Sequence, residues 1–217
     1  METLLPSKAS LLTFWKRHFP FSTRELNAFL SLRREDFVPA TYSPVAYEDV
    51  PLPLLRGKTI SQPTTIMLMN SALEVKQGEK ILEVGTGSGY HAALLSRLVG
   101  KRGKIITTEI IPELVLFAKE NLTRAGISNV EVHEEEGSKG MPKHAPFDKI
   151  LLTAACREFP QPLLEQLKPG GIILAPVGNR EQQVMLRGRK DSLGNFTLEP
   201  LGPFLFTPLH GKWGFED

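Results

Sequence analysis

Residues 80–100 read KILEVGTGSGYHAALLSRLVG, an apolar strand that ends in three alternating glycines and runs on into a helical apolar pattern. Gly85, Gly87 and Gly89 allow the backbone to turn sharply after the strand and to approach a ligand closely. The helix that begins near Tyr90 offers the free N–H groups of its first turn. This order predicts a turn that binds a nucleotide-like ligand, and a tight strand-to-helix connection is the simpler alternative.

A dinucleotide-binding turn has glycines at its first, third and sixth positions. The sixth position here is Tyr90, which argues against a nicotinamide cofactor. Glu109 stands at the end of the next predicted strand, where a carboxylate accepts hydrogen bonds from both hydroxyls of a ribose. We predict that role for Glu109, with a solvated strand-end glutamate as the alternative.

Glu83 lies inside the otherwise apolar strand before the turn. An ionised carboxylate in such a strand needs a partner. A cationic part of the ligand or the N–H groups of the turn would serve, so Glu83 is a candidate cofactor-binding residue. A purely structural role is the alternative.

Strands alternate with helices from Lys80 onward. The strand-like segments are KILEVG, KIITTE, NVEVHE, FDKILLTAA and GGIILAPVG, and the helical ones are YHAALLSRLV, PELVLFAKENLTRAG and PLLEQLK. This alternation predicts an α/β fold with a mostly parallel, twisted sheet and helices on both faces. The turn-forming DSLGN joins two last strand-like stretches, which predicts a C-terminal antiparallel hairpin.

The first part of the chain has another pattern. Ser22 and Glu25 form a capping box before a helical pattern, TTIMLMNSAL predicts a further helix, and residues 37–63 between them contain five prolines. A compact domain keeps so long a loop for a purpose such as covering a site. We expect one compact domain in which residues 1–76 form a helical and loop extension that contributes to the substrate site, and residues 77–217 form the cofactor-binding core.

The composition excludes several classes of protein. Of the 217 residues, 41% are hydrophobic and 23% are charged, with a net charge of +2. The charges are interspersed, so neither nucleic acid nor an anionic membrane is favoured as a partner. The chain has one cysteine, no signal-peptide pattern, and no apolar segment of the roughly 18–20 residues that cross a bilayer. We expect a cytoplasmic monomer.

No metal-ligand spacing is evident among the histidines and the single cysteine, so we expect no metal site. Each histidine is better explained as a surface or packed residue, and Cys156 as a small buried residue rather than a nucleophile. The residues concerned are His18, His91, His133, His144, His210 and Cys156.

The motifs LEVGTGSGY and TEIIPEL resemble those of class I S-adenosylmethionine-dependent methyltransferases. More specifically, REDFVPATYSPVAYEDVPLPLLRGKTIS, APFDKI, TAACREFPQPLLEQLKPGG, APVG and FTPLHGKWGF together resemble the protein-L-isoaspartate O-methyltransferase family, from about residue 33 to the end. The resemblance implies a Rossmann-like class I methyltransferase fold and S-adenosyl-L-methionine as cofactor. It also implies protein repair, in which the carboxylate of isoaspartyl residues in damaged proteins is methylated and the ester collapses through a succinimide.

The resemblance also implies roles for individual residues. The three glycines of the turn would lie against the methionine part of the cofactor, Glu109 would hold the ribose, and the acid before Gly137 would face the adenine. The predicted cofactor-binding residues are Glu83, Gly85, Gly87, Gly89, Tyr90, Glu109, Glu136 and Gly137.

Ser61 matches the serine that family members place beside the substrate carboxylate. A carboxylate is already ionised at pH 7, so methyl transfer to its oxygen needs no general base. The enzyme has to align the reacting atoms, and Ser61 could donate the hydrogen bond that orients the carboxylate. Capping of the following helix is the alternative role of Ser61. The predicted substrate-binding residues are Thr59, Ile60, Ser61, Pro208 and Leu209.

Six positions depart from the family pattern. Glu135 and Glu136 stand where the family has glycine and aspartate, which puts the adenine contact at Glu136 in doubt. Lys58, Gln62 and Thr64 replace glutamine, alanine and histidine around Ser61, which puts the substrate in doubt. Met141 replaces an aromatic residue or valine, a packing change.

Three other functions therefore stay open at this point. The first is a class I methyltransferase with a different substrate, which a peptide panel would distinguish. The second is a non-catalytic S-adenosylmethionine-binding or partner-binding protein, for which loss of cofactor binding would be the sign. A nicotinamide oxidoreductase is the most distant, because Tyr90 breaks its fingerprint and no proton donor is evident.

Overall fold

A computed structural model describes residues 7–215. Its α-helices are α1 (Lys8–His18), α2 (Thr23–Leu30), α3 (Pro63–Leu73), α4 (Tyr90–Val99), α5 (Pro112–Arg124) and α6 (Gln161–Gln166). Its strands are β1 (Leu52–Pro53), β2 (Thr59–Ile60), β3 (Lys80–Val84), β4 (Lys104–Glu109), β5 (Val130–Glu134), β6 (Phe147–Leu152), β7 (Leu167–Gly178), β8 (Gln183–Lys190) and β9 (Phe196–Phe204). Short 3-10 turns cover Arg34–Phe37, Ala40–Val45, Leu55–Gly57, Gly137–Lys139 and Pro142–His144.

Seven strands form one sheet in the order β5-β4-β3-β6-β7-β8-β9. The first five are parallel to their neighbours, whereas β8 is antiparallel to β7 and β9 is antiparallel to β8. The chain moves from β3 outward to β5 on one side and from β6 outward to β9 on the other. The switch point therefore lies between β3 and β6, where open α/β sheets bind their ligands. The predicted α/β fold with its C-terminal antiparallel hairpin is confirmed.

Two hydrophobic clusters lie on the two faces of the sheet. Ile81 and Leu151 belong to one cluster, whereas Leu82 and Ile150 belong to the other. Neighbouring residues of a strand point to opposite faces, so this alternation is what a sheet covered on both sides requires. Trp15, Phe29 and Phe37 join the same cluster as Ile81, so the amino-terminal helices cover one face of the central sheet.

Residues 7–76 form α1 to α3 and a short antiparallel pair, β1 and β2. They share a hydrophobic cluster with the sheet that follows. The division at residue 76 stays a prediction, and residues 1–6 lie outside the described part of the chain. Among the helices within residues 7–215, none is long and apolar enough to cross a bilayer.

The carboxyl-terminal strands extend one side of the sheet. β9 pairs only with β8 and forms the edge, and it contains two exposed prolines, Pro200 and Pro203. Ion pairs attach β8 to the end of α3, because Arg187 and Arg189 both contact the carboxylate of Glu74. The sheet and the amino-terminal helices are thereby joined through side chains as well as through the core.

Candidate active site

One pocket opens at the carboxyl ends of β3, β4 and β6, at the switch point of the sheet. The amino-terminal segment around β2 and the segment after β9 close it from two sides. The pocket is lined by Lys58, Thr59, Ile60, Ser61, Ile66, Val84, Gly85, Thr86, Gly87, Ser88, His91, Thr108, Glu109, Ile110, Leu114, Glu135, Gly137, Thr153, Ala154, Thr207, Pro208, Leu209 and His210.

Two glycines of the pocket wall leave no room for a side chain. Gly85 has φ +101°, and a Cβ there would lie 2.3 Å from Thr153 Oγ1, which donates a hydrogen bond of 2.6 Å to the Gly85 carbonyl. A Cβ on Gly137 would lie 2.3 Å from Thr108 Oγ1 and 2.6 Å from Val84 Cγ1. Only glycine therefore fits at either position, where the backbone packs closely against Thr153, Thr108 and Val84 of the same wall.

Glu109 connects the glycine turn to the end of β4. Its Oε2 accepts a hydrogen bond from the Gly87 N–H at 3.0 Å, and its Oε1 accepts from the N–H groups of Ile110 at 2.9 Å and Ile111 at 3.1 Å. Three backbone donors hold the carboxylate in one orientation while it lines the pocket. Each oxygen keeps accepting capacity for a ligand hydroxyl.

Glu83 does not reach the pocket. It is fully buried in β3, its Oε2 accepts from Thr107 Oγ1 at 2.6 Å, and Oε1 has no hydrogen-bond partner. Burial raises the pKa of Glu83 to about 8, the hydrogen bond from Thr107 opposes the rise, and the charge of Glu109 adds to it. Thr107 Oγ1 also lies 2.7 Å from Thr86 Oγ1 in the turn. Glu83 thus contacts the pocket wall indirectly, through two threonines.

Arg34 supports the segment that carries Ser61. Its side chain is fully buried; Nε donates to the Ala46 carbonyl at 2.7 Å and Nη2 donates to the Ser61 carbonyl at 2.9 Å. The guanidinium lies 5.1 Å from the ring centre of Tyr90, which is itself buried behind the glycine turn. Burial lowers the pKa of Arg34 to about 10, so it stays charged at neutral pH. Tyr90 therefore packs against the serine-bearing segment through Arg34 and does not line the pocket.

Ser61 faces the pocket and does not cap the next helix. The residue at the N-cap of α3 is Gln62, and it makes no side-chain capping bond. Within residues 7–215 the Ser61 hydroxyl makes no hydrogen bond, so it is available to a ligand. Across the pocket, Leu209 donates from its N–H to the Ala155 carbonyl at 2.8 Å, which fixes the segment that carries Pro208. All five predicted substrate-binding residues line the same pocket.

Of the three altered positions near Ser61, Lys58 alone lines the pocket. The Thr64 hydroxyl is turned inward: it accepts from Trp15 Nε1 at 2.7 Å and donates to Asp49 Oδ2 at 2.6 Å. Gln62 is not part of the lining. The change at Thr64 is therefore a change of packing between α1 and α3.

His91 and Thr108 contribute to the pocket without a sequence signal of their own. His91 Nε2 lies 2.9 Å from Asn70 Oδ1, and burial lowers the pKa of His91 to about 3, which keeps the ring neutral. Thr108 Oγ1 is buried without a hydrogen-bond partner. Glu135 lines the pocket too. Thr108 lies near the carboxyl end of β4, and His91 of α4 is held against Asn70 of α3. Contacts between such distant segments cannot be identified from a single sequence.

Four predicted cofactor-binding residues stand behind the pocket rather than on its surface. Glu83 and Tyr90 are described above, and Gly89 packs against α5, where a Cβ would lie 3.3 Å from Ala118 Cβ. Glu136 turns away to Ser138 Oγ and to Lys139 Nζ, the latter at 3.2 Å. Gly85, Gly87, Glu109 and Gly137 are the predicted residues that reach the surface of the pocket.

Cys156 is buried, and burial raises the pKa of its thiol to about 12, which agrees with a small packed residue. The spacing of the histidines along the chain predicted no metal site, but the fold brings two of them together with a carboxylate. His133 and His144 come together with Glu131, and the potential ligand atoms of the three lie within 4.8 Å of one another.

Comparison with known proteins places this chain in one family. Residues 7–214 match the family described as protein-L-isoaspartate(D-aspartate) O-methyltransferase (PCMT). The protein-L-isoaspartate O-methyltransferase of Methanococcoides burtonii is 46% identical over 88% of this chain and 94% of its own length. The protein-L-isoaspartate O-methyltransferase 2 of Archaeoglobus fulgidus is 44% identical over 93% and 91%, respectively.

Two solved structures have the same architecture. One is a protein-L-isoaspartate O-methyltransferase, with TM-score 0.86 and 29% identity over 96% of this chain and 67% of the other. The second comes from Plasmodium falciparum and contains S-adenosyl-L-homocysteine; its TM-score is 0.80, with 24% identity over 93% and 97%, so it bears on the fold alone. Both solved structures therefore share the overall fold of this chain.

Proposed function

Because this chain belongs to the protein-L-isoaspartate(D-aspartate) O-methyltransferase family, we propose that the pocket between Ser61 and Glu109 is its active site. The chain is an S-adenosylmethionine-dependent protein carboxyl O-methyltransferase that methylates the carboxylate of isoaspartyl residues in damaged proteins. The observation that carries the assignment of the site is that the predicted cofactor residue Glu109 and the predicted substrate residue Ser61 line one pocket.

The residues present fit S-adenosylmethionine. Gly85 and Gly137 line the pocket at positions where a Cβ would clash with neighbouring side chains of the wall, and Thr108 Oγ1 is a buried hydroxyl without a partner in this wall. Gly85 and Gly87 would lie against the methionine part, and Glu109 would accept hydrogen bonds from the ribose hydroxyls. At the adenine end the acid that lines the pocket is Glu135, so we assign that contact to Glu135 in place of Glu136.

The chain's own residues have to hold and orient a carboxylate. S-adenosylmethionine, when bound, supplies an electrophilic methyl group on a sulfonium. The Ser61 hydroxyl donates a hydrogen bond to one carboxylate oxygen and leaves the other free to form the new O–CH3 bond. No side chain has to remove a proton, since the carboxylate is ionised at neutral pH. Alignment of this kind accounts for roughly 7–11 kcal/mol of barrier reduction in favourable intramolecular cases.

Apolar side chains on both sides of Ser61 exclude water from this step. Ile60 is buried and lines the pocket, and Leu209 faces it from the opposite segment. A weakly solvated carboxylate is a stronger nucleophile than a hydrated one, so a modest hydrogen bond from one hydroxyl suits the reaction better than an ion pair would.

A matched pair of peptides tests the function directly. The purified protein is incubated with methyl-labelled S-adenosylmethionine and peptides that differ only by isoaspartate or aspartate, and base-labile label is counted as methanol. We expect label on the isoaspartyl peptide alone. Equal labelling of both peptides, or label on neither with cofactor binding intact, would contradict the assignment and favour a different substrate. Lys58, which departs from the family pattern and lines the pocket, would then be the residue to examine first.

Two substitutions separate the roles inside the pocket. Ser61→Ala is expected to lower kcat about 10- to 100-fold and to leave the Kd of S-adenosylhomocysteine within about threefold, because it removes a contact to substrate alone. Ser192→Ala, in the exposed turn between β8 and β9, is the control.

Glu109→Gln is expected to weaken S-adenosylhomocysteine binding about tenfold or more, measured by calorimetry, and an unchanged Kd would contradict the ribose assignment.

A monomer in the cytoplasm stays our prediction, and light scattering of the purified chain measures the first part of it. A mass of twice 24.1 kDa would contradict the monomer.

A further inference from the structure

Glu131 and His133 on the edge strand β5 form a cluster with His144, outside the pocket. Glu131 and His133 are two residues apart on β5, so their side chains lie on the same face of the sheet. His144 ends the 3-10 turn Pro142–His144, which runs beside that face. The turn is anchored, because the His144 carbonyl accepts from Lys80 Nζ at 2.5 Å and the His144 N–H donates to the Met141 carbonyl at 2.8 Å.

Two separations within the cluster are slightly wider than those around a bound cation, and the potential ligand atoms of all three residues lie within 4.8 Å of one another. Glu131 Oε2 lies 3.7 Å from His133 Nε2 and 3.8 Å from His144 Nδ1. Ligands about 2.0–2.1 Å from a tetrahedral Zn2+ ion are about 3.3–3.5 Å apart. Small side-chain rotations would therefore close the cluster around an ion. The two imidazole rings meet with centroids 5.0 Å apart at 64°, edge towards face, so neither blocks the other.

A second observation points to a ligand at the same place. His133 Nε2 is buried and has no hydrogen-bond partner. A buried ring nitrogen without a partner is costly, and coordination to a metal removes that cost. The two oxygens of the Glu131 carboxylate have different neighbours. Oε1 contacts Lys104 Nζ at 2.6 Å, whereas Oε2 lies near the two imidazole rings.

We propose that Glu131, His133 and His144 bind a divalent transition metal of the Zn2+ type. Two imidazole nitrogens and one carboxylate oxygen are a donor set that zinc accepts, with water in the fourth position. The side chains of His133 and His144 are 29% and 25% exposed, so the cluster lies near the surface even though His133 Nε2 itself is buried. The ammonium of Lys104 repels a cation, so we expect micromolar rather than nanomolar affinity.

The expected role is stabilisation rather than catalysis. None of the three ligands lines the pocket. A metal would join the turn Pro142–His144 to β5, and the chain between them includes Glu135 and Gly137, which do line it. Metal binding would therefore stiffen the segment at the proposed adenine end. The cluster stands on its own geometry and does not depend on the assignment of the pocket.

Titration of the full chain with ZnCl2 tests the site. A chelator-treated protein without a histidine tag is expected to bind one Zn2+ by calorimetry, and Tm is expected to rise by roughly 5–10 °C at about 100 times Kd. His133→Gln and His144→Gln should each weaken binding at least tenfold. His18→Gln, in the exposed last turn of α1, should leave binding unchanged.

Two further measurements keep the outcome decisive. Lys104→Met removes the repelling ammonium and should tighten Zn2+ binding severalfold. Circular dichroism and Tm without metal confirm that each variant is folded. Absence of binding up to 1 mM ZnCl2 in the wild type, or equal binding by the wild type, His133→Gln and His144→Gln, would overturn the proposal, whatever the peptide assay shows.

Discussion

Arg34 joins distant parts of the site through one buried side chain. Its two hydrogen bonds end on the carbonyls of Ala46 and Ser61, and its guanidinium packs on Tyr90 behind the glycine turn. A lysine would keep the charge but cannot offer the same planar pair of donors. The position of Ser61 therefore depends on a residue that does not touch the pocket itself.

We predict that Arg34→Lys lowers kcat for an isoaspartyl peptide about tenfold and changes the Kd of S-adenosylhomocysteine less than about threefold. The reason is that the Ser61 segment loses one of its supports while the glycine turn keeps its own contacts to Glu109. Steady-state kinetics and calorimetry measure the two effects. Equal losses in kcat and in cofactor affinity would instead show that Arg34 supports the whole pocket.

Glu83 gives the protein a pH-dependent stability. Burial raises its pKa to about 8, above the ordinary value of about 4.3, so the folded state holds this proton more tightly than the unfolded state does. Its contribution to stability is complete below the unfolded pKa and is lost as the pH rises towards 8. Across that window the slope is up to about 1.4 kcal/mol per pH unit.

The variant Glu83→Gln should remove this slope, because an amide keeps the neutral form at every pH. We expect the difference in free energy of unfolding between the variant and the wild type to favour the variant increasingly from pH 5 to pH 8. Urea denaturation at several pH values measures it. Parallel pH profiles for the two proteins would show that Glu83 does not titrate in this range.

At the scale of single elements, the capping box of α2 is a local device. Glu25 Oε2 accepts from the Ser22 N–H at 2.6 Å, and the Ser22 hydroxyl accepts from the Glu25 N–H at 3.3 Å. Ser22→Ala should lower the free energy of unfolding by about 1 kcal/mol, and thus Tm by roughly 2–4 °C. Ser192→Ala, which caps no helix, should leave Tm unchanged in the same thermal scan. Equal Tm values for both variants would contradict the contribution of the cap.

Local patterns explain which elements could be predicted. The capping box, the glycine turn and the strand that carries Glu109 depend on neighbours in the chain, and each is present as predicted. Arg34 meets Ser61 27 residues later, so no local period signals that contact. The same holds for His144, which meets β5 only because the 3-10 turn lies against it.

At the scale of the whole molecule, the pocket combines segments that are widely separated along the chain, from Lys58 to His210. Lys58 to Ser61, the turn after β3, the end of β4 and the segment from Thr207 to His210 all contribute to the lining. The family resemblance implied this combination, since the residues on their own predicted the cofactor turn but not its partners. Glu83 and Tyr90 show what the motif alone cannot predict. Both belong to it, yet both side chains are buried and neither lines the pocket.

Ligand binding should therefore stabilise the molecule as a whole. We predict that S-adenosylhomocysteine at about 100 times its Kd raises Tm by roughly 5–10 °C, because it binds the folded state alone. Thermal scans at increasing ligand concentration measure the shift. Glu109→Gln should need a correspondingly higher concentration for the same rise, and an identical concentration dependence would place the ribose elsewhere.

The edge strand β9 has a consequence for behaviour at high concentration. An unpaired edge offers N–H and C=O groups to a strand of another molecule, which is a route to aggregation. Pro200 and Pro203 have no N–H to donate, and both are exposed on this edge. They interrupt the hydrogen-bonding template that a continuous strand would present. The two prolines should therefore help the protein to stay dispersed at concentrations where a continuous edge strand would pair with another molecule.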